Sequence, residues 1–249
     1  MVSGKYSALS GAIAREQSMA NIAANLSNVN TAGYKKASIS FESLLQGAKQ
    51  TEEAKGINYS RTKGNFTDFT PGPITETGNP LDMAIHGDGF FKVQGPDGIL
   101  YTRRGDFTLD QNGNLQTSNG LQVLNQANGP INIPNTATNQ ISVSSLGEIS
   151  IMGRDGSSSV VGTVGVVTIN DPSKLKREAD TTFSLPADGQ ETIVTEPTLA
   201  IGNLESSNVN MTEAMTLMID SLRTFETYHK VLKSYSDLSQ KQDELGSLA

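Results

Sequence analysis

Apolar positions near the N-terminus recur at helical spacing. Leu9, Ala12, Glu16, Met19, Ala23 and Leu26 step by 3, 4, 3, 4 and 3, a heptad seam with one charged member. Ile13, Ile22 and Val29 flank it, and no proline interrupts it, so the pattern predicts a helix from Ser3 to about Asn28. A second helical pattern closes the chain. Asn210 with Glu213 three residues later forms a capping-box analogue, with Asn in place of Ser or Thr. Met211, Met215, Met218, Leu222, Phe225, His229 and Leu232 then step by 4, 3, 4, 3, 4 and 3. Tyr228, Val231, Tyr235, Leu238, Gln242 and Leu245 make a second seam offset by one residue, which broadens the apolar face or passes it to another neighbour. Asp220–Arg223, Glu226–Lys230 and Asp237–Lys241 add i,i+3 or i,i+4 pairs, each worth only ~0.2–0.5 kcal/mol.

The text between the helices is of two kinds. From Ala37 to Pro80 periodicity fades, and Gly and Pro enter in KGNFTDFTPGPITETGNP, which predicts an extended connector with short strands. From Leu81 to about Ile201, alternating and β-branched runs dominate: GFFKV, ILYTR, DFTLD, NLQT, QISVS, EISIM and VVGTVGVVTI. Turn formers separate them at Pro96-Asp97-Gly98, Asn112-Gly113, Asn119-Gly120 and Asp155-Gly156. The expected fold class is α+β, with N- and C-terminal helices forming a coiled-coil-type core and a mainly antiparallel all-β domain inserted between them. The expected segments are residues 1–36 for the first helix and its turn, 37–80 for the connector, 81–204 for a β-rich outer domain and 205–249 for the C-terminal helix. A helical hairpin packed on the β body fits this order. So does a subunit that polymerises through its termini, because a helix of ~35 residues spans roughly 50 Å.

The stop of the first helix is unusually polar. In NLSNVNTAGYKK, Asn tolerates the left-handed region and Gly33 permits positive φ, so the run can end the helix and turn the chain. The Asn amides can bond backbone groups left exposed at the turn. Lys35 and Lys36 follow the helix C-terminus, where the dipole favours positive charge.

Composition narrows the function. The 249 residues are enough for one large or two small domains, and 24 glycines with only 6% aromatic residues suit many short strands joined by turns. A net charge of −7 argues against a nucleic-acid partner, which needs clustered Lys and Arg. The chain has no cysteine, so disulfides, thiolate metal sites and cysteine nucleophiles are excluded. No apolar run reaches ~18 residues, so direct membrane insertion is not expected. The first thirty residues show neither a basic start nor an apolar h-region, so no cleavable secretory signal is visible.

No chemistry-bearing constellation stands out. His86 and His229 are the only histidines and lie far apart in sequence, which gives no metal site. HGDGFF lacks the third glycine and following helix of a dinucleotide loop. DQNGNLQ lacks the bidentate Glu of a calcium loop and is better explained as a hairpin turn. Met211, Met215 and Met218 suit adaptable packing rather than ligation. No catalytic residue and no cofactor are expected.

Three ordered stretches carry a resemblance. NLSNVNTAGYKK resembles the signature of the bacterial flagellar rod and hook family, with Asn25, Leu26, Asn28, Thr31, Gly33, Tyr34 and Lys35 matching and Ser27 and Ala32 departing from the usual Ala and Pro. NPLDMAIHGDGFFKV with YTRRGDFTLDQNGNL is similar to the start of that family's β domain, and LESSNVNMTEAMTLMI to the start of its C-terminal helix. The likeness covers both ends and the middle. Within the family it is most like the proximal rod subunit; the distal rod subunit, which has a longer insertion after the first helix, and the hook subunit are the alternatives.

The resemblance implies a structural subunit of the basal-body rod that transmits torque across the periplasm and encloses a channel. It implies passage, unfolded, through the type III export apparatus without a cleavable signal. Phe41-Glu42-Ser43-Leu44 resembles that family's export motif, with Phe41 and Leu44 as its apolar members; an apolar contact inside the connector explains the same residues. The residues expected to carry assembly are Leu9, Ala12, Met19, Ile22, Leu26, Asn25, Asn28, Thr31, Gly33 and Tyr34 at the first helix and turn. On the second helix they are Met211, Met215, Met218, Leu222, Phe225 and Leu232. Implied partners are other copies of the chain, other proximal and distal rod subunits, the export apparatus and periplasmic ring proteins. The rival classes are a secreted β-rich adhesin with coiled-coil ends, which should carry a signal peptide, and a glycan hydrolase, which needs paired carboxylates in a cleft.

Overall fold

Two long helices, one at each end of the chain, bracket a series of short antiparallel strands. The computed structural model describes residues 2–46, 57–134, 140–153, 158–179 and 181–246. They divide into two compact units: one of residues 1–27, 37–68 and 209–249, the other of residues 28–36 and 69–208. The fold is α+β, and every strand pairing is antiparallel.

The first unit holds helix α1 (Val2–Ser27), strands β1 (Ala37–Gln46) and β2 (Ile57–Thr67), and helix α2 (Met211–Gly246). Asn210 caps α2: its side-chain oxygen accepts from the Glu213 N–H at 3.1 Å, which satisfies one of the orphan donors of the first turn. The helices run antiparallel and approach closely. A Cβ built on Gly4 would lie 2.5 Å from the Tyr235 hydroxyl, and one on Gly11 would lie 2.6 Å from the Tyr228 ring. Missing side chains at 4 and 11 therefore make room for two aromatic rings.

That steric match sets which stripe is covered. On α1 the buried positions are Ala8, Gly11, Ala12, Ile22 and Asn25. The covered seam is thus largely one residue earlier than the expected Leu9 to Leu26 series, and Leu9 is left exposed. On α2 the seam runs through Ala214, Met218, Ser221, Phe225, Tyr228, Leu232 and Tyr235, again in steps of 4 and 3. It draws Met218, Phe225 and Leu232 from one expected series and Tyr228 and Tyr235 from the other.

Within the expected connector, the described residues 37–46 and 57–67 form two long strands rather than short ones. β1 and β2 pair along their full length, from Ala37 opposite Thr67 to Gln46 opposite Ile57, with one bulge at Ser40/Phe41. Thr62 of β2 donates its hydroxyl proton to Gln17 of α1, so this hairpin belongs to the helical unit.

In the second unit, strand Phe90–Gly95 is central and pairs with Gly98–Thr102, Gln122–Val123 and Val166–Ile169. It is covered on both faces. Phe91 and Val93 join Met83, Phe107, Leu115, Val123 and Ile149 in the larger core, while Phe90 joins Tyr101, Val167 and Phe183 in the smaller one. Phe69 closes the smaller core edge-on to Phe90 and Phe183, with centroids at 5.5 and 5.1 Å. The run VVGTVGVVTI, one strand by pattern, is two. Ser158–Thr163 and Val166–Ile169 belong to different sheets. Gly165 lies at the break, and a Cβ there would come within 2.7 Å of the Asn125 carbonyl oxygen.

The expected hairpin turns at Pro96–Gly98, Asn112-Gly113 and Asn119-Gly120 are present between paired strands; Asp155-Gly156 lies outside the described residues. DQNGN is held by Asp110, whose carboxylate accepts from the Asn112 and Asn114 N–H groups at 2.7 and 2.8 Å and from the Asn114 amide at 2.9 Å. These bonds stabilise the ionised form and lower its pKa.

Candidate functional site

The polar stretch after α1 is built around one carboxylate that the sequence did not single out. Glu205, 2% exposed, accepts from the Lys35 ammonium at 2.5 Å, from the Gly72 N–H at 2.9 Å and from the Arg103 guanidinium at 3.3 Å. Its own carbonyl accepts from the Gly33 N–H at 2.7 Å. Lys35, 1% exposed, also donates to the Thr70 carbonyl at 2.8 Å. Arg103, 3% exposed, donates to the Gly87 carbonyl at 2.7 Å and lies 5.4 Å from the centroid of the Phe90 ring. Burial lowers the Arg103 pKa, and the charge of Glu205 opposes that shift.

The three stretches that carried the resemblance therefore meet at one point. Lys35 comes from NLSNVNTAGYKK, Arg103 from YTRRGDF and Glu205 from LESSNVN. The expected role for Lys35, a cation beside a helix C-terminus, is corrected: its charge is neutralised by Glu205, 170 residues away in sequence.

The turn itself is fixed from several sides. Thr31 donates its hydroxyl to the Asn28 side-chain oxygen at 3.0 Å. Gly33 has φ 69°, and any Cβ there would strike the Arg104 backbone nitrogen at 2.3 Å, so glycine is required twice over. Tyr34 is 3% exposed beneath Arg177, which lies 4.9 Å from its ring and 5.0 Å from that of Phe183 and donates to the Lys35 carbonyl. Asn208 accepts from the Lys36 N–H at 2.7 Å.

In the helical unit, the expected use of an Asn amide on exposed backbone is met at Asn25. Its amide donates to the Ala37 carbonyl at 2.8 Å, and its oxygen accepts from the Ala37 N–H at 2.9 Å. Asn25→Ala removes both bonds and leaves Ala37 without those partners, so an unfolding free energy lower by about 1–3 kcal/mol is expected. Faster hydrogen exchange at the Ala37 amide, with α2 unaffected, is the accompanying sign.

The assembly residues expected from sequence fall into two groups. Ala12, Ile22, Asn25, Gly33 and Tyr34 are already enclosed by their own chain, and Met19, Leu26, Asn28, Thr31, Met218, Phe225 and Leu232 are partly enclosed. Leu9, Met211, Met215 and Leu222 are 42–46% exposed. They are not isolated. Tyr6, Leu9 and Ile13 form a stripe on α1, and Met211, Met215, Ile219 and Leu222 form one on α2 flanking the covered seam, while Leu217, Val231 and Leu238 lie on its other flank. Phe41 is 39% exposed on β1, and the side chain of Leu44 lies outside the described residues. Glu205 and Arg103 escaped sequence reasoning because nothing local marks a buried charge; their positions within the three stretches, shared by Asn208, were the one available pointer, and Arg177 lies outside those stretches.

Comparison with known proteins agrees with this arrangement. Residues 6–35 match the family "Flagella basal body rod protein", residues 84–151 the "Flagellar hook protein FlgE/F/G D1 domain", and residues 201–245 the "Flagellar basal body rod FlgEFG protein C-terminal". The chain is similar to the flagellar basal-body rod protein FlgG of Bacillus subtilis (strain 168), 32% identical over 259 residues, with 97% of this chain and 98% of the relative covered. It is similar to FlgF of Caulobacter vibrioides, 32% identical over 249 residues with 96% of each covered, and to FlgF of Escherichia coli (strain K12), 33% identical over 253 residues with 98% of each covered. The chain belongs to the flagellar basal-body rod family. It is a structural subunit of the rod, a motility component located in the basal body across the periplasm, and its family assembles with other rod subunits.

Proposed function

We propose that this chain is a proximal rod subunit that polymerises through its terminal helices into a coiled-coil-type core, with the β-rich unit outside. The observation that carries this reading is the apolar surface left open on both helices: Tyr6, Leu9 and Ile13 on α1, and Met211, Met215, Leu217, Ile219 and Leu222 on α2. Over its first three turns the apolar face of α2, from Leu217 through Ala214 and Met211 to Ile219, is wider than the seam its own chain covers, while Thr212, Glu213, Thr216 and Asp220 make up the polar remainder. Each such open apolar residue adds ~1.5–3 kcal/mol once covered, against backbone ordering of ~1–2 kcal/mol per residue. Helices of limited length are marginal alone in water, so the termini of the free chain fray and become fully ordered when neighbours complete the core. A heterologous contact that does not close then propagates a helical tube.

The proximal position is supported by length. The two shorter alignments span 249 and 253 positions against 259 for the third, which suits a chain without the insertion that the resemblance associates with the distal subunit. The β surface faces neighbouring subunits and the periplasmic ring proteins. Delivery is unfolded, through the type III export apparatus, with Phe41 and Leu44 as candidate export contacts; folding of β1 onto β2 follows export. The chain performs no catalysis in this reading.

Deletion of the gene and imaging of basal bodies tests the assignment. Cells are expected to lack a completed rod and hook and to regain them on complementation. A normal rod and hook in the deletion strain would remove the proximal-rod role.

A further inference from the structure

The sheet of Gln140–Val143, Glu148–Met152 and Ser158–Thr163 has one face turned into the larger core, through Ile149 with Ile141, Val143, Ile151 and Val161. Its opposite face is of another kind. Ser142 lies opposite Ser150, Ser150 opposite Val160, and Met152 opposite Ser158. Met152 is 46% exposed, and Val160, at 62%, is the most exposed large hydrophobic residue among those described. The outer strands Gln140–Val143 and Ser158–Thr163 hold no charged residue and no proline, and among the described residues each pairs on one side only. Natural sheets blunt such edges with Lys, Pro or bulges; here the single such device is a bulge at Val161.

We infer that this sheet is a second contact between copies of the chain, outside the helices, in which strand Ser158–Thr163 of one copy meets strand Gln140–Val143 of the next. The identity of the partner rests on the rod reading and on charge. Each copy carries a net charge of −7, so two copies repel on average, and they are best brought together along the two outer strands, which carry no charge; the one charged residue of the sheet's described strands, Glu148, lies on the middle strand. The strand edges, which have no further strand beside them among the described residues, supply backbone hydrogen bonds. Ser and Gly on and beside the outward face lose little side-chain entropy on contact, and Met152 with Val160 supplies the apolar centre. Because the two edges differ, the contact is heterologous and extends rather than closing into a dimer.

The absence of cysteine makes cross-linking clean. Full-length chain carrying both Ser142→Cys and Ser158→Cys is expressed in the deletion strain, and isolated basal bodies are treated with a short bis-maleimide. A ladder of dimers, trimers and higher species is expected from the double variant, while either single variant and the exposed control Ser173→Cys yield monomer. Val160→Lys should lower the yield of completed basal bodies several-fold, and Val160→Thr should leave it unchanged. No ladder from the double variant in basal bodies that do contain the protein, or a full yield with Val160→Lys, overturns this contact and leaves the rod reading standing. Absence of the protein from basal bodies would instead refute the rod reading itself.

Discussion

Glu205→Gln should cost the protein about 3–5 kcal/mol, the usual range when one partner of a buried ion pair is removed. The substitution keeps size and shape but leaves Lys35 and Arg103, 1% and 3% exposed, facing each other's charge with no anion between them. For a chain of this length the loss corresponds to a melting temperature lower by roughly 10 °C. Lys35→Met should be milder, although it removes the same ion pair. Glu205 then still balances Arg103 at 3.3 Å, and the Thr70 carbonyl still accepts from the Asn208 amide at 3.1 Å. Thermal denaturation of the two variants, followed by near-ultraviolet circular dichroism, gives the order. Equal losses would mean that the charge count at Glu205 does not govern this cluster.

The second large effect concerns assembly rather than folding. Met215→Asp and Leu222→Asp change residues that are 46% and 45% exposed, and substitutions at such positions usually stay within about 0.5 kcal/mol in the isolated chain. In the proposed tube the same side chains would be covered by a neighbour, where an unpaired carboxylate costs several kcal/mol. Loss of one well-buried apolar contact already weakens association about tenfold to a hundredfold. The double variant should therefore be exported, melt like the parent chain and leave cells non-motile, with no completed rod. Gln240→Asp, on the polar last turns of α2, should swim normally. Ala214→Asp differs in kind: Ala214 is 6% exposed, so its charge disturbs α2 within the chain itself and lowers the melting temperature as well. Normal swimming of the Met215/Leu222 variant would remove the terminal-helix account of polymerisation.

The two variants probe different things because the rod subunit keeps two kinds of interior. The β-rich unit closes its own core, and the two cations of its charged centre share the Glu205 carboxylate, with the buried Arg103 Nε left without a hydrogen-bond partner. The helical unit covers one seam by itself and leaves further apolar flanks open. A version trimmed at residues 36 and 205, the limits that the hydrophobic pattern suggests, would remove Lys35 along with the turn and would disturb the β unit. One trimmed at 27 and 208 retains the whole second unit, along with residues 37–68 of the first, and keeps Lys35, Arg103 and Glu205 together.

Much of this architecture is legible in local pattern. Apolar steps of 3 and 4 mark both helices, β-branched runs mark the strands, and Asn-Gly pairs mark the turns, because backbone geometry answers to neighbours only a few residues away. Asn210 capping α2 and Gly33 ending the α1 turn belong to the same class. Which face of each helix is covered was not local. Small residues at 4 and 11 are a weak hydrophobic signal, and they matter only because Tyr235 and Tyr228 arrive opposite them from the far end of the chain. The split of VVGTVGVVTI likewise depends on the Asn125 backbone approaching Gly165. Sequence alone determined that this polypeptide ends in two helices, carries a β insertion and bears the three rod-family stretches. Tertiary structure alone decided that those stretches converge on Glu205, since the worth of a buried charge is set by what surrounds it in space, and contacts between residues 35, 103 and 205 leave no periodic trace along the chain.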